Sequence, residues 1–254
     1  MTGSVLVTGG TKRIGKAICD VLRARGWNVL VHSRDAANPF AADFADPGAP
    51  ARLFAAACAA APDLRAVVNN AALFSTARTL APDAAARLMR VNAEAPDELT
   101  RLLGAHLARE GRAGAVVDLL DARILAPLTA PTPYEASKRA LVASMRTAAR
   151  RFGAALRVNA VAPGPVLAPA DAANREKGGA ILLARRPTPE DVAEAVAFLL
   201  EAPAVTGQIL AVDAGQSLLR ARGGGVTCAL QGSSKSATLV FGFPSVPSRK
   251  GTKR

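Results

Sequence analysis

The chain has 254 residues, half of them hydrophobic, which is enough for one sizeable core and short for two independent domains. Three cysteines, Cys19, Cys58 and Cys228, show no paired spacing, which argues against a disulfide framework or a structural zinc site and for a reducing compartment. The net charge of +12 is concentrated at one end: residues 220–254 hold seven basic and no acidic residues, so 1–219 carry only +5, and without an aromatic platform or recognition motif a nucleic-acid partner is not expected.

Met1-Thr2-Gly3-Ser4 leads straight into an apolar run at 4–8, a first strand with no export signal before it, and no stretch of eighteen apolar residues follows anywhere. A cytoplasmic, membrane-free protein is expected. Next comes Thr8-Gly9-Gly10-Thr11-Lys12-Arg13-Ile14-Gly15, a glycine turn opening a helix over 13–25. Strand, glycine turn and helix in that order suit a phosphate, because glycine lets the backbone approach it and the helix N-terminus offers unpaired N–H groups. The second strand, 28–32, runs into His32-Ser33-Arg34-Asp35. Asp35 lies about twenty residues beyond the turn, where an acid would bond a ribose diol. Ser33 and Arg34 come first, however, and Lys12 and Arg13 add positive charge, a set that matches a 2′-phosphate and therefore NADPH.

A helix over 49–60, a strand over 66–69, a long helix over 84–109 and a strand over 115–119 follow. The next helix, 134–151, opens with Tyr134-Glu135-Ala136-Ser137-Lys138, which sets a phenol and an ammonium on one helical face. Tyr134 is the only tyrosine of the chain. A phenol with a pKa near 10 gives up a proton reluctantly, and a neighbouring ammonium lowers that value. A strand over 156–160, a loop around 166–186, a helix over 189–201 and a last strand over 209–212 complete an alternating pattern that predicts an α/β, Rossmann-like doubly wound parallel sheet in one domain, 1–220. Residues 221–254, rich in glycine, serine, proline and basic residues, read as a disordered basic tail.

These motifs together resemble the short-chain dehydrogenase/reductase family, over residues 3 to about 220. Within it, an arginine at position 13, where the usual pattern has glycine, makes the turn similar to that of the pteridine reductases. The resemblance implies that Gly9, Lys12, Arg13, Ile14, Gly15, His32, Ser33 and Arg34 bind the cofactor, with Asp43 on the adenine amino group and Asn70-Ala71, Pro163-Gly164, Tyr134 and Lys138 along its length. It implies a relay water held by Asn92, and a substrate site of Arg13, Phe74, Asp121 and Tyr134, Phe74 clamping a flat pterin. It also implies a homo-oligomer, a tetramer or dimer, built through the helices at 84–109 and 134–151.

Asp121 decides the expected substrate. Most family members place serine there, and a ketone reductase needs a donor beside the developing alkoxide, which a carboxylate is not. An Asp121-Tyr134-Lys138 triad suits a pterin or folate C=N bond, whose nitrogen must take a proton. The alternatives are a carbonyl or 3-oxoacyl reductase and, from another class, a non-catalytic NADPH-binding regulator, against which the intact Tyr134–Lys138 pair argues.

Overall fold

The computed structural model describes residues 3–126, 130–166 and 180–220, all within one unit of the chain, Met1–Gly223. The strands are β1 (Ser4–Val7), β2 (Asn28–Ser33), β3 (Phe40–Ala41), β4 (Leu64–Asn69), β5 (Gly114–Leu119), β6 (Leu156–Pro163) and β7 (Ile209–Val212). The helices are α1 (Arg13–Ala24), α2 (Ala49–Ala60), α3 (Pro82–Met89), α4 (Ala95–Arg109), α5 (Pro133–Phe152), α6 (Pro189–Glu201) and α7 (Gln216–Arg220). All seven strands run parallel in the order β3-β2-β1-β4-β5-β6-β7. The expected α/β doubly wound sheet is therefore present.

A parallel sheet buries both faces, and its central strands are accordingly mostly apolar: every residue of β1 and β5 is buried, Ser4 and Asp118 among them. One face packs on α2, α4 and α5 through Leu53, Phe54, Leu99, Leu103, Leu141 and Met145. The other packs on α1 and α6 through Ile18, Leu22, Val192, Val196 and Leu200. Strand order reverses between β1 and β4, and a crevice opens there beyond the carboxyl ends of the strands.

Two elements depart from expectation. The strand β3 is only two residues long, below what alternation can reveal. The helix expected over 84–109 is divided: α3 and α4 are joined by a π turn, Arg90–Glu94, in which the Ala95 N–H reaches back to the Arg90 carbonyl. Pro96 is the physical reason, since it has no N–H to give to the Asn92 carbonyl and cannot continue the ordinary ladder. Its own carbonyl is taken by the Thr100 hydroxyl at 2.8 Å. The helix α5 starts one residue before the expected position because Thr132 caps it, with Glu135 returning a bond to the Thr132 N–H and Pro133 in the first turn. Among the described residues no helix is long and apolar enough to cross a membrane. The tail, 221–254, and residues 167–179 of the expected substrate loop lie outside the described residues.

Candidate active site

A cleft of about 1130 Å³ lies at the strand-order reversal. Every expected site residue lines it except Asn92, from Gly9 and the basic turn at one end to Asp121, Tyr134 and Phe74 at the other.

At the glycine turn the backbone is shaped for close approach. A Cβ on Gly15 would stand 2.1 Å from the Gly9 carbonyl oxygen, and Gly9 itself has φ +63°. Arg13, which stands where a glycine was expected, keeps the left-handed backbone of a glycine at φ 53°. An L-residue there costs on the order of 1–2 kcal/mol, a strain retained for what the side chain supplies. Lys12, Arg13 and Arg34 are exposed and pair with no described acid.

The turn is held from behind by residues expected to face the cofactor. Asn70 donates to the carbonyls of Thr8 and Gly9 at 2.9 and 3.0 Å. The Thr8 hydroxyl accepts the N–H groups of Asn70 and Ala71, both at 3.0 Å. His32 is 2% exposed, accepts the Gly9 N–H on Nδ1 at 3.1 Å, donates from Nε2 to the Ala42 carbonyl at 3.0 Å and stacks on Phe44. That set of bonds requires the neutral imidazole, and burial lowers its pKa accordingly. Asp35, the tempting acid, accepts the Ala37 N–H at 3.1 Å, and its own N–H is held by the Ser33 hydroxyl. Asp43 accepts the Ala45 N–H at 3.0 Å and meets Arg87 at 3.5 Å. At the far wall Pro163 closes β6, and the Gly164 N–H bonds to the Val212 carbonyl at 2.9 Å.

The chemistry-bearing groups sit where β5 ends against the start of α5. The Tyr134 hydroxyl donates to Asp121 Oδ2 at 3.3 Å. Lys138, 3% exposed, donates to the Leu119 carbonyl at 2.7 Å, and its nitrogen lies 6.0 Å from the Tyr134 ring centre. Where the sequence suggested a phenol made more acidic by lysine, the structure does the reverse: burial, then the Asp121 carboxylate, push the Tyr134 pKa above the usual phenol range, and Arg123 pulls it back in part. Burial lowers Lys138 to about 8, against the opposing pull of Asp121 and Asp118.

Two residues not singled out as members of this set shape it. Arg123 holds Asp121 in a two-pronged pair, donating from its Nε to Oδ1 at 3.0 Å and from Nη2 to Oδ2 at 2.8 Å, while its backbone N–H caps Oδ1 at 2.9 Å. Its guanidinium lies 5.0 Å from the centre of the Phe74 ring and 5.2 Å from that of Tyr134. The other is Asp118, on β5 three residues before Asp121. It is fully buried, accepts from Asn69 at 2.8 Å, and burial raises its pKa to about 7. Nothing in the sequence pattern announced Arg123, which follows Asp121 by two residues and is folded back onto it by the turn Ala122–Leu125.

Asn92 is the exception to the cleft. It is fully buried in the π turn, where its amide nitrogen donates to the Leu73 carbonyl at 2.8 Å and the Ser137 hydroxyl at 3.1 Å, and its oxygen accepts the Leu73 N–H at 2.7 Å. It ties the segment bearing Phe74 to the helix bearing Tyr134. Phe74, 63% exposed, meets Tyr134 edge to face with ring centres 5.0 Å apart. The Arg123 guanidinium lies over the Phe74 ring, the ring expected to clamp a flat substrate.

The family model described as Enoyl-(Acyl carrier protein) reductase matches residues 10–217, most of the chain and all of the cleft lining but Gly9. The chain belongs to the short-chain dehydrogenase/reductase family. Within this family of oxidoreductases it is 32% identical over 240 residues to the granaticin polyketide synthase putative ketoacyl reductase 2 of Streptomyces violaceoruber, covering 84% of this chain and 96% of that one. It is 29% identical over 280 residues to pteridine reductase 1 of Leishmania tarentolae, covering 85% and 96%. Among solved structures of short-chain reductases, the FolM alternative dihydrofolate reductase 1 of Brucella canis, complexed with NADP, aligns with a TM-score of 0.73 at 30% identity, covering 85% of this chain and 94% of that chain.

Proposed function

We propose that this short-chain reductase uses NADPH to reduce a C=N bond of a dihydropterin or dihydrofolate. The observation that carries the reading is Asp121 within 3.3 Å of the Tyr134 hydroxyl, at a point where a ketone reductase would want a neutral donor. When bound, the cofactor supplies the hydride. Gly9 and Gly15 give the turn the tight backbone that suits its pyrophosphate, since a Cβ on Gly15 would collide with the Gly9 carbonyl and one on Gly9 would crowd Ala71 and the Asn70 amide. Lys12, Arg13 and Arg34, which pair with no acid among the described residues, suit a 2′-phosphate, and Asp35 already accepts the Ala37 N–H on one of its oxygens. The pterin-reducing relatives, and the NADP bound in the Brucella canis structure, support both halves of this reading.

The proton belongs to Tyr134. Its raised pKa keeps it a phenol throughout the neutral range, so it is a donor before it is a base. In delivering a proton to a ring nitrogen, the hydroxyl exchanges its bond to Asp121 for one to the substrate. The buried Lys138 ammonium opposes the negative charge left on the phenol. A second reading is favoured by the ketoacyl reductase relative at 32% identity: reduction of a 3-oxoacyl or other carbonyl substrate.

A direct assay separates the two. Purified protein should oxidise NADPH with dihydrobiopterin or dihydrofolate as acceptor, and far faster than with 3-oxoacyl thioesters. Turnover confined to carbonyl compounds would overturn the pterin reading.

A further inference from the structure

Three of the four residues expected to hold the substrate, Phe74, Asp121 and Tyr134, are already holding something. That occupant is the Arg123 side chain, whose flat cation presents two parallel N–H donors to the Asp121 carboxylate at 3.0 and 2.8 Å. Its plane centre lies 5.0 and 5.2 Å from the two aromatic rings. A planar group with paired N–H donors is also what the 2-amino-3H edge of a pterin offers: an N–C–N unit with the donor geometry of a guanidine. The Arg123 side chain is 28% exposed, so it has solvent to move into. Its backbone N–H to Asp121 is part of the turn Ala122–Leu125 and survives such a move.

We propose that Arg123 is a specificity-determining residue that occupies the seat of the substrate's guanidine-like edge, so that a ligand must offer paired N–H donors on a flat ring to displace it from Asp121. The inference rests on the pterin reading and deepens it. A ketone brings only acceptors. It can neither replace the two N–H groups on the carboxylate nor compensate the anion that displacement would leave behind, so the pair itself rejects it. A pterin exchanges one bidentate pair for another and lies against the same rings. The arrangement lowers affinity for every ligand and lowers it least for the right one.

Arg123→Met keeps the length of the side chain and removes its cation and donors. With NADP⁺ present, the fluorescence of 2-amino-4-oxopteridine (pterin) should report binding to Arg123→Met at least about 10-fold tighter than to the natural protein. Arg123→Lys, which keeps the charge without the planar two-donor edge, should also bind tighter than the natural protein. The natural protein should bind pteridin-4-one, which lacks the 2-amino group, at least about 10-fold more weakly than pterin. Equal or weaker pterin binding by the methionine variant, a lysine variant matching the natural protein, or equal affinity for the two pteridines would each overturn the proposal. If the natural protein oxidises NADPH with dihydrobiopterin and one of those results is found, the stand-in falls alone. If neither the natural protein nor Arg123→Met binds pterin, the pterin reading falls with it.

Discussion

At the glycine-turn end of the cleft, polar side chains are turned inward to brace backbone, while the cations lean outward without acid partners. His32, Asn70 and Thr8 are consumed by bonds to Gly9, Ala42 and the first residues after β4, and Lys12, Arg13 and Arg34 face open space. The other end of the cleft is the opposite: Asp121, Arg123 and Tyr134 satisfy one another, and Lys138 is bound to a carbonyl. One end is a preformed mould awaiting an anion. The other is a closed polar circuit, which on the reading proposed above a substrate enters by substituting for one of its members.

The sharpest way to break this comparison is at the circuit. Tyr134→Phe removes the proton donor and leaves the mould, so turnover should fall about 10³-fold while NADPH affinity, read by fluorescence titration, stays within about twofold. Loss of cofactor binding in that variant would show the two ends to be one unit. At the mould, Arg34→Glu should weaken NADPH by about 10- to 100-fold and leave NADH nearly unchanged, since a charge-assisted phosphate contact is worth about 1.5–3 kcal/mol. Equal losses for both cofactors would remove Arg34 from phosphate recognition.

The smallest expected effect lies beneath the circuit, at Asp118. Its folded pKa is raised from 3.8 to about 7, so the folded state prefers the neutral acid and loses stability as pH climbs from about 4 through 7. Asp118→Asn keeps an acceptor for the Asn69 amide and cannot ionise. It should therefore be more stable than the natural protein at pH 8 by about 1–3 kcal/mol and indistinguishable from it near pH 4, measured by denaturant unfolding. A stabilisation equal at both pH values would mean that packing rather than charge is responsible.

Much of the architecture was legible because a buried parallel sheet announces itself: the apolar runs of β1 and β5, and the capped helix α6 at its expected limits, have no competing interpretation. The cleft was legible for the same reason, since glycine turn, strand ends and Tyr134-Lys138 each carry a positional signature. What could not be read was how side chains are spent. His32 and Asn70, expected to meet a cofactor, line the cleft and also brace the turn, because tertiary neighbours such as Ala42 and Thr8 claim their hydrogen bonds. Arg123 escaped attention because a cation two residues after an acid has no periodic signal; only the 3₁₀ turn at Ala122–Leu125 folds it back. The π turn was encoded in Pro96, but breaking one helix into two phases takes only a single missing N–H.

That turn has one further consequence. A π turn is a helix carrying one residue more than its pitch accommodates, so α3 and α4 are out of angular step by about a quarter of a revolution. The mismatch aims the Asn92 amide at Leu73 and Ser137 together. Deleting a single residue between 90 and 94 would heal the cylinder and cost little helix, yet swing that amide aside and cut the strap between the Phe74 segment and α5. The irregularity is thus the part of the helix that the substrate would feel.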